Sequence, residues 1–316
     1  MFVVVGTTTV DLLIAGLDRI PGLGEDEFTS ESLAFIDAPM RMTLGGNGAN
    51  AAYALAGLGE PTRLCSVLGT DALSEIVLGW LRDRGADTQP VRRDLCEATA
   101  TTTVVTDRAL HRLAFHHPGG SRDFSPAHLP DTPTGPDDTL LLTSYHLLPG
   151  FRGSPGAALL EGARSSGART ALDIGPALGD IANMGELAEL LPHVDVLFAN
   201  RHELASCTGE DDIERGASAA LAAGAEAIVV KRGRAGASLY SSGTSIDVAG
   251  FAVEVRSTVG AGDAFDAGFL HAIAGGASAE QALRIGNAVA ALVVSSDRGI
   301  LAAPTRQQVE NYLSVW

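Results

Sequence analysis

Asp263 stands at the end of a glycine-rich segment that leads into an apolar stretch with a helical pattern. The segment, residues 258–263, reads Thr-Val-Gly-Ala-Gly-Asp, and the small residues Gly260, Ala261 and Gly262 let backbone amides approach a ligand closely. The helix N-terminus adds free N–H groups and the positive end of the dipole, which suit a phosphoryl group in transfer. Asp263, in the first turn, could take a proton from an attacking hydroxyl. The alternative is a glycine-rich turn in which Asp263 only caps the helix.

A second glycine-rich segment, residues 45–52, precedes another helix of small residues. It begins with Gly45 and Gly46 and carries an amide side chain at Asn50. Because an amide both donates and accepts hydrogen bonds, Asn50 suits a polyol ligand. The alternative is a helix N-terminus whose glycines serve only close packing of helix on sheet.

The elements that must position these segments alternate along most of the chain. Short apolar runs rich in Val, Ile and Leu, typical of strands buried on both faces, lie between stretches of helical pattern. We predict strands at 2–5, 64–68, 140–142, 170–174, 194–198 and 227–231. We predict helices at 48–58, 72–84, 155–165, 181–191, 212–222, 264–274 and 279–294, and a last one that opens near residue 304. The pattern predicts an α/β fold, a three-layer α/β/α sandwich around a mainly parallel sheet.

Two regions, approximately residues 12–44 and 95–119, interrupt this alternation. They hold threonine-rich, alternating segments without helical pattern, which are typical of antiparallel, partly exposed strands. We predict that both regions form one small β-sheet within a single domain that spans residues 1–316. Two unrelated surface loops are the alternative.

The composition argues against a nucleic-acid partner. The chain has 38 acidic and 22 basic residues, a formal net charge of −16 at pH 7, whereas nucleic-acid binders usually present a basic face. An acidic surface is compatible with a small bound anion, because helix N-termini can hold phosphate without surface charge.

The cysteines and the N-terminus favour a cytoplasmic protein. Cys65, Cys96 and Cys207 lie far apart and form no CxxC pair, which argues against a disulfide framework and a structural zinc site. The apolar N-terminus lacks a basic stretch and is interrupted by threonines and Asp11, so it predicts a buried strand rather than a signal peptide. No apolar run is long enough to predict a membrane span.

Several other site motifs are missing from the sequence. Lys231 is the only lysine and is not part of a Gly-Lys-Ser/Thr motif, which excludes a P-loop. The sequence has neither a GxSxG elbow nor an HExxH zinc motif. Gly6 is followed by three threonines, so the dinucleotide-binding fingerprint after the first strand is missing.

The order and separation of the two glycine-rich segments within this α/β pattern resemble the ribokinase-like family of carbohydrate and nucleoside kinases, also called the PfkB family. Residues 45–52 resemble its N-terminal signature and residues 258–265 its C-terminal one. The resemblance covers nearly the full chain and implies the ribokinase-like fold. It extends to Asp11 and to the segments at residues 21–25, 200–203 and 231–236.

The resemblance implies a role for each matching residue near the acceptor. Asp263 would be the general base for the primary hydroxyl of the substrate, and the amides of residues 260–262 would stabilise the phosphoryl group in transit. The residues that would hold the sugar hydroxyls are Asp11, Gly45, Gly46 and Asn50.

The same resemblance implies ATP and Mg²⁺ at a neighbouring subsite. Glu203 would hold Mg²⁺ through water beside the ATP phosphates. The small β-sheet would be a lid over the sugar, and because the lid of relatives often supports a dimer, it implies a homodimer through the lid. The residues that would contact the nucleotide are Asn200, Lys231, Gly233, Gly236 and Asn287.

Simpler roles stay open for some of these residues. Asp11 could be an ordinary turn residue after a strand, and Lys231 a solvated charge at a strand end. Asn200 and Glu203 could be a helix cap and its capping-box partner. His116 and the adjacent His117 point to opposite faces of a strand, which disfavours a metal site there but would let one of them face the sugar.

Three positions depart from the family pattern. Ser257 replaces the usual Asp, whose carboxylate helps to bind an activating monovalent cation, so K⁺ as a cofactor stays open. Asn47 stands where relatives of the ribokinase type often carry Lys, which leaves ribose itself open as the substrate. Gly175, two residues after Asp173, stands where relatives commonly carry Asn.

We therefore predict a phosphotransferase with an alcohol group as acceptor, an ATP-dependent kinase that phosphorylates a hydroxymethyl group of a sugar or related small polyol. A nucleoside kinase and a non-catalytic sugar or nucleotide sensor are the alternatives, and the intact Asp263 argues against the sensor. A phosphorylated sugar would need a cationic clamp, and a nucleoside an apolar slot for its base. The candidates for the clamp are Arg41, Arg108 and Arg112, and those for the slot are Phe28, Phe35 and Phe115.

Overall fold

The computed structural model describes residues 1–18, 32–33, 35–108, 112–131 and 133–316. Phe28 and the family segment at residues 21–25 lie outside the described residues, as does the side chain of Arg112.

The strands, in chain order, are β1 (Phe2–Val5), β2 (Thr9–Leu17), β3 (Arg41–Gly45), β4 (Thr62–Cys65), β5 (Val67–Leu68), β6 (Arg92–Arg93), β7 (Thr101–Asp107), β8 (Arg112–His117), β9 (Thr139–Leu142), β10 (Arg169–Asp173), β11 (Val196–Asn200), β12 (Ala227–Lys231), β13 (Ala237–Ser241) and β14 (Thr244–Val248). The α-helices are α1 (Asn47–Gly57), α2 (Ala72–Asp83), α3 (Ser154–Ser165), α4 (Met184–Leu190), α5 (Arg201–Thr208), α6 (Ile213–Ala222), α7 (Ala261–Ala274), α8 (Ala279–Val294) and α9 (Arg306–Ser314).

The main sheet has the strand order β14-β13-β12-β11-β10-β9-β1-β4. It is parallel from β12 to β4, and β13 and β14 add an antiparallel edge. Helices cover both faces, so the predicted three-layer α/β/α sandwich is confirmed.

Two hydrophobic cores lie on the two faces of the main sheet. Phe2 and Val4 of β1 pack into the core beneath α1, α2, α7 and α8, whereas Val3 and Val5 pack into the core beneath the helices α3 to α6. Successive side chains of a strand point to opposite faces, so a strand buried on both sides must be apolar throughout. This double burial explains the unbroken apolar runs.

Strands from both interrupting regions pair in one sheet with the order β3-β2-β7-β8, which we call the small sheet. Two details differ from the sequence prediction. The sheet begins at Thr9, before residue 12, and β2 pairs with β7 in parallel. Pairing is antiparallel within each region, β2 with β3 and β7 with β8. Because β2 and β7 come from different regions, no direct connection between them requires antiparallel pairing.

Other differences concern short elements. The predicted strand at 64–68 is two strands, of which β4 joins the main sheet and β5 pairs with β6. The sequence analysis did not predict α5, which follows β11 without a loop, or the β13–β14 hairpin. In the described part of the chain, no helix is long and apolar enough to cross a membrane.

Candidate active site

The predicted site residues gather where parallel strands of the main sheet end. Asp173, Asn200 and Lys231 are the last residues of β10, β11 and β12. In open α/β sheets, ligands bind in the crevice outside the carboxyl ends of the strands. The N-termini of α1 and α7 meet at this edge, where α1 contacts Asp263 through two side chains.

Asp263 is buried, with 5% of its surface exposed, and α1 holds both of its carboxylate oxygens. Asn47 Nδ2 donates to Oδ1 and Asn50 Nδ2 donates to Oδ2, each at 2.8 Å. Burial raises the pKa of Asp263 to about 6, and the nearby charge of Asp173 adds to that rise. The two amide donors and Lys231 oppose it. Asp263 is therefore a fixed carboxylate whose pKa suits proton transfer near neutral pH.

Asn50 has a second feature that points to a ligand. It is 4% exposed, and its buried Oδ1 has no hydrogen-bond partner among the residues that the structure describes. A buried acceptor without a donor is costly, so a hydroxyl group of a ligand at this point would stabilise the site.

Lys231 lies in a cluster of carboxylates rather than in solvent. Its Nζ is 2.6 Å from Asp173 Oδ2 and 3.0 Å from Asp266 Oδ2. Burial would lower the pKa of Lys231, but the two carboxylates raise it well above its ordinary value. Burial also raises the pKa of Asp266. For Asp173, burial is the largest influence and would raise the pKa, but the charge of Lys231 and the hydrogen bonds to the carboxylate together lower it. The solvated strand-end charge considered from the sequence is wrong.

Asn200 and Glu203 form a complete capping box at the start of α5. Asn200 Oδ1 accepts from the Glu203 amide at 2.9 Å, and Glu203 Oε2 accepts from the Asn200 amide at 2.7 Å. Glu203 is nevertheless buried, and burial, followed by the charge of Asp173, raises its pKa to about 7. A helix cap alone does not require a carboxylate that is buried near another negative charge, so the structure leaves a second role for Glu203.

The residues present fit a divalent cation. Asp173, Asp263 and Asp266 have carboxylate oxygens within 4.8 Å of one another, and Lys231 supplies one positive charge among them. Glu203 interacts electrostatically with Asp173 and Asp263, so carboxylates outnumber the single ammonium group of this cluster. Carboxylate oxygens are the ligands that Mg²⁺ prefers, and it usually keeps several waters, which agrees with a contact through water.

The N-terminal glycines bring α1 close to the sugar-binding candidates. A Cβ at Gly45 would collide with the Asp11 carboxylate and the Thr9 hydroxyl. Gly46 has φ +81°, and a Cβ there would lie 2.5 Å from the carbonyl oxygen of Thr7. Only glycine therefore fits this turn, which explains the paired glycines.

The second glycine segment forms the N-terminus of α7. Gly260 is its N-cap with φ +76°, and Ala261 and Gly262 begin the helix. A Cβ at Gly262 would lie 3.4 Å from Lys231 Nζ, so the backbone of the first turn faces the ammonium group. The hydroxyl of Ser257, before this turn, accepts from the Val259 amide at 3.3 Å.

A cavity of about 910 Å³ adjoins the N-terminus of α7. Its polar end has Lys231 and Gly262, and apolar side chains of residues 251–255 and of α8 line the rest. Asn287 lies in the wall, where its Nδ2 donates to the carbonyls of Val248 and Ala249, both at 3.3 Å. The nucleotide candidates that line this cavity are Lys231, Gly233, Gly236 and Asn287.

Asp11 belongs to a polar row across the small sheet. In the strand register, Asp11 is opposite Thr43 and Thr102, and Thr102 is opposite His116. Residues in register share a face, so these four side chains lie on the face that carries Asp11. Thr9 donates to Asp11 at 2.7 Å, and burial raises the pKa of Asp11 while His116 opposes the rise. His116, rather than His117, is thus the histidine on the face that carries Asp11.

Those candidates for an anion clamp and a base slot whose side chains the structure describes are not assembled at the site. Arg41 pairs with Asp297 at 2.7 Å and Arg108 with Asp18 at 3.0 Å, on the surface. Phe35 is 92% exposed, and Phe115 is on the face of the small sheet opposite to Asp11.

Sequence reasoning missed the polar residues that surround Asp263. No role was assigned to Asn47, Asp173 or Asp266, although Asn47 lies in the first glycine-rich segment, Asp173 in a predicted strand and Asp266 directly after the second glycine-rich segment. Two signals were available: Asp266 is three residues after Asp263 on one helix face, and Asp173 ends a predicted buried strand.

Comparison with known proteins finds similar chains over nearly the whole length. Residues 3–306 match the family model described as pfkB family carbohydrate kinase. The chain is 31% identical over 299 residues to the ATP-dependent ribose-1-phosphate kinase of Halopiger xanaduensis, which covers 94% of this chain and 93% of that protein. It is 27% identical over 296 residues to a nucleoside kinase of Methanothermobacter thermautotrophicus, with 92% and 91% covered.

The fold is similar to solved structures of the same kind. The structure of Arabidopsis thaliana ribokinase complexed with ribose and ATP has a TM-score of 0.83 and 27% sequence identity. The match covers 99% of this chain and 98% of that one.

Proposed function

The chain belongs to the pfkB family of carbohydrate kinases, and from that premise we propose that it phosphorylates a hydroxymethyl group of a sugar or related small polyol, with ATP as the donor. The class of activity is an ATP-dependent phosphotransferase that acts on an alcohol group of a sugar or nucleoside. The observation that carries the finer proposal is the buried Asp263 carboxylate, held by two α1 amides at the helix N-terminus beside the large cavity.

Asp263 is the general base in this proposal. It takes the proton of the substrate hydroxyl as that oxygen forms a bond to the γ-phosphorus of ATP. The bond from this phosphorus to the bridging oxygen breaks, and ADP leaves with that oxygen. The pKa of about 6 leaves most Asp263 ionised at neutral pH and ready to accept the proton.

The α7 N-terminus stabilises the phosphoryl group in transit. The amides of Gly260, Ala261 and Gly262 lie at the start of the helix, where N–H groups have no carbonyl four residues earlier in the helix. The Ala261 amide donates to the Thr258 carbonyl at 3.3 Å, so it would have to exchange this bond for one to the phosphoryl group. Lys231 adds a positive charge against the same turn. Mg²⁺ bound near Glu203 would neutralise phosphate charge, and Asn200 fixes the Glu203 carboxylate through the capping box.

The acceptor subsite offers mainly hydrogen-bond acceptors. Asp11 presents a carboxylate, and Asn50 presents an Oδ1 without a partner in the described part of the chain. Gly45 leaves room for the Asp11 carboxylate, and Gly46 leaves room for the Thr7 carbonyl. Groups that accept require a ligand that donates, so a neutral sugar with several hydroxyls fits best. The small sheet, with Asp11 on its inner face, is the lid in this proposal, and its exposed outer face is where two copies would form a homodimer.

The similarity to a ribose-1-phosphate kinase and to a nucleoside kinase makes these two acceptors the specific alternatives. We would measure ADP release from Mg-ATP with sugars, sugar 1-phosphates and nucleosides, each with and without K⁺. Wild type would be run beside Asp263→Asn. A sugar that raises ADP release only in wild type is the expected result.

A response confined to nucleosides or sugar 1-phosphates would replace the proposed acceptor. No response to any acceptor, with ATP binding measured separately, would favour the non-catalytic sensor. Strong activation by K⁺ would show that a site without the usual Asp at position 257 suffices.

A further inference from the structure

Ser144 combines a strained backbone with full burial beside the active site. It follows β9 with φ 61° and ψ 29°, a left-handed conformation that non-glycine residues rarely adopt, and its side chain has no exposed surface. A Cβ at Gly175 would lie 3.0 Å from Ser144 Cα, so the chain is tightly packed at this turn. Glycine would fit the backbone here with less strain, so the presence of serine requires an explanation from its hydroxyl group.

The Ser144 hydroxyl is the centre of a chain of hydrogen bonds that ends on Asp263. Ser144 Oγ donates to Asn47 Oδ1 at 3.2 Å, and Asn47 Nδ2 donates to Asp263 Oδ1 at 2.8 Å. Because Ser144 has one hydroxyl hydrogen, Thr7 Oγ1, 2.8 Å away, must be the donor to Ser144. The direction of every bond in the chain is thereby fixed.

We propose that Ser144 is a positioning residue for Asp263 and acts through Asn47. The Asn47 amide is held at both ends, its oxygen by Ser144 and its nitrogen by the carboxylate. Without the Ser144 hydroxyl, the half-buried Asn47 side chain loses its anchor and can rotate toward water. Asp263 then keeps only the Asn50 donor, and its carboxylate is less well aligned with the acceptor hydroxyl. Ser144 itself does not reach a substrate, because it is fully buried behind Asn47.

The test compares Ser144→Ala with Ser144→Gly. Both remove the hydroxyl, but only glycine relieves the left-handed strain. We expect both to lower kcat by about tenfold to a hundredfold, the scale of a misaligned catalytic group, with the KM for ATP changed less than about twofold. We expect the Tm of Ser144→Gly to exceed that of Ser144→Ala by about 2 °C or more. Equal loss of activity at unequal stability would separate positioning from a merely structural role.

Two further variants complete the experiment. Asn47→Ala should lower kcat to a similar extent, and adding Ser144→Ala to it should lower kcat no further, because both act through one chain. Asp137, at φ 65° in an exposed turn, is the matched control for backbone strain. Asp137→Gly should raise the Tm and leave kcat unchanged.

The proposal rests on Asp263 as the base, and the outcomes separate the two ideas. Wild-type kcat in Ser144→Ala, together with an inactive Asp263→Asn, overturns the role of Ser144 and leaves the proposed function intact. A kcat loss that follows the Tm, larger in Ser144→Ala than in Ser144→Gly, overturns it as well. Full activity of Asp263→Asn overturns both.

Discussion

At the scale of single residues, burial sets the chemistry of this site. Asp263, Glu203 and Asp266 all have raised pKa values, mainly because their surroundings exclude water. Lys231 is the one lysine of the chain, and it is placed where it offsets part of that negative charge. A buried lysine that binds two carboxylates keeps the ends of β10 and β12 and helix α7 in one arrangement.

The pKa of Asp263 predicts the pH dependence of turnover. A general base works only when ionised, and burial raises the pKa of this group to about 6. We expect kcat/KM to rise as the pH increases through about 6 and to level off above about 7. Steady-state rates from about pH 5 to 8 would measure this limb. A flat profile over that range would contradict Asp263 as the titrating base.

Removal of the Lys231 charge should destabilise the fold strongly. Lys231→Met would leave Asp173 and Asp266 buried without their cation, and breaking a buried pair costs about 3–5 kcal/mol. Urea unfolding would measure the loss.

The adjacent Arg232, whose pair with Asp247 is partly exposed, is the matched control. Arg232→Met should cost about 1 kcal/mol or less. Equal losses for the two variants would show that the carboxylate cluster tolerates an uncompensated charge.

At the scale of elements, the site is built from the ends of strands and the beginnings of helices. Parallel strands place their carboxyl ends at one edge, and the helices α1, α5 and α7 begin at that edge. Helix N-termini carry free amides, so the fold concentrates donors where phosphate would bind. Paired glycines before α1, and Gly260 before α7, remove the side chains that would block this approach.

The capping box of α5 allows capping to be separated from catalysis. Asn200 caps α5 and Asp212 caps α6 in the same way, by accepting from the amide three residues later. Asn200→Ala and Asp212→Ala should each lower the free energy of unfolding by about 1 kcal/mol. Only Asn200→Ala should also lower kcat and weaken Mg²⁺ dependence, because it releases Glu203. Unchanged kinetics in Asn200→Ala would reduce this pair to a helix cap.

At the scale of the whole molecule, the small sheet has two unlike faces. The row that contains Asp11 is polar and lies on the face of the candidate sugar-binding residues Asp11 and Gly45. The adjacent row, on the other face, places Met42, Leu12, Thr103 and Phe115 in register, with Met42 40% and Phe115 60% exposed. This strip, which exposes an apolar side chain at each end, favours contact with a second copy.

We expect the protein to be a dimer in solution through this strip. Light scattering coupled to gel filtration would give the mass, and Phe115→Glu should shift it to the monomer because it places a charge in the contact. Leu178→Glu, at an exposed position outside the small sheet, is the control and should leave the dimer intact. A wild-type monomer would contradict the homodimer.

The sequence by itself determined most of the elements and the segments that form the main candidate site. Apolar runs predict buried strands because both faces need apolar side chains, and glycines before helices predict anion-binding turns because only glycine clears the backbone. Asp263, Asn50 and the two glycine segments were therefore found from local pattern alone. The parallel pairing of β2 with β7 was not, because no local signal relates strands from separate regions.

Only the tertiary structure decided which polar groups share the site. Lys231, Asp173 and Asp266 come from three different elements, and their local sequence places each near the site without showing that they form ion pairs with one another. The same holds for Thr7, Ser144 and Asn47, which converge on Asp263 from separate segments. Hydrogen bonds and charge pairs between distant residues depend on strand order, crossover and side-chain direction, which a linear pattern does not contain.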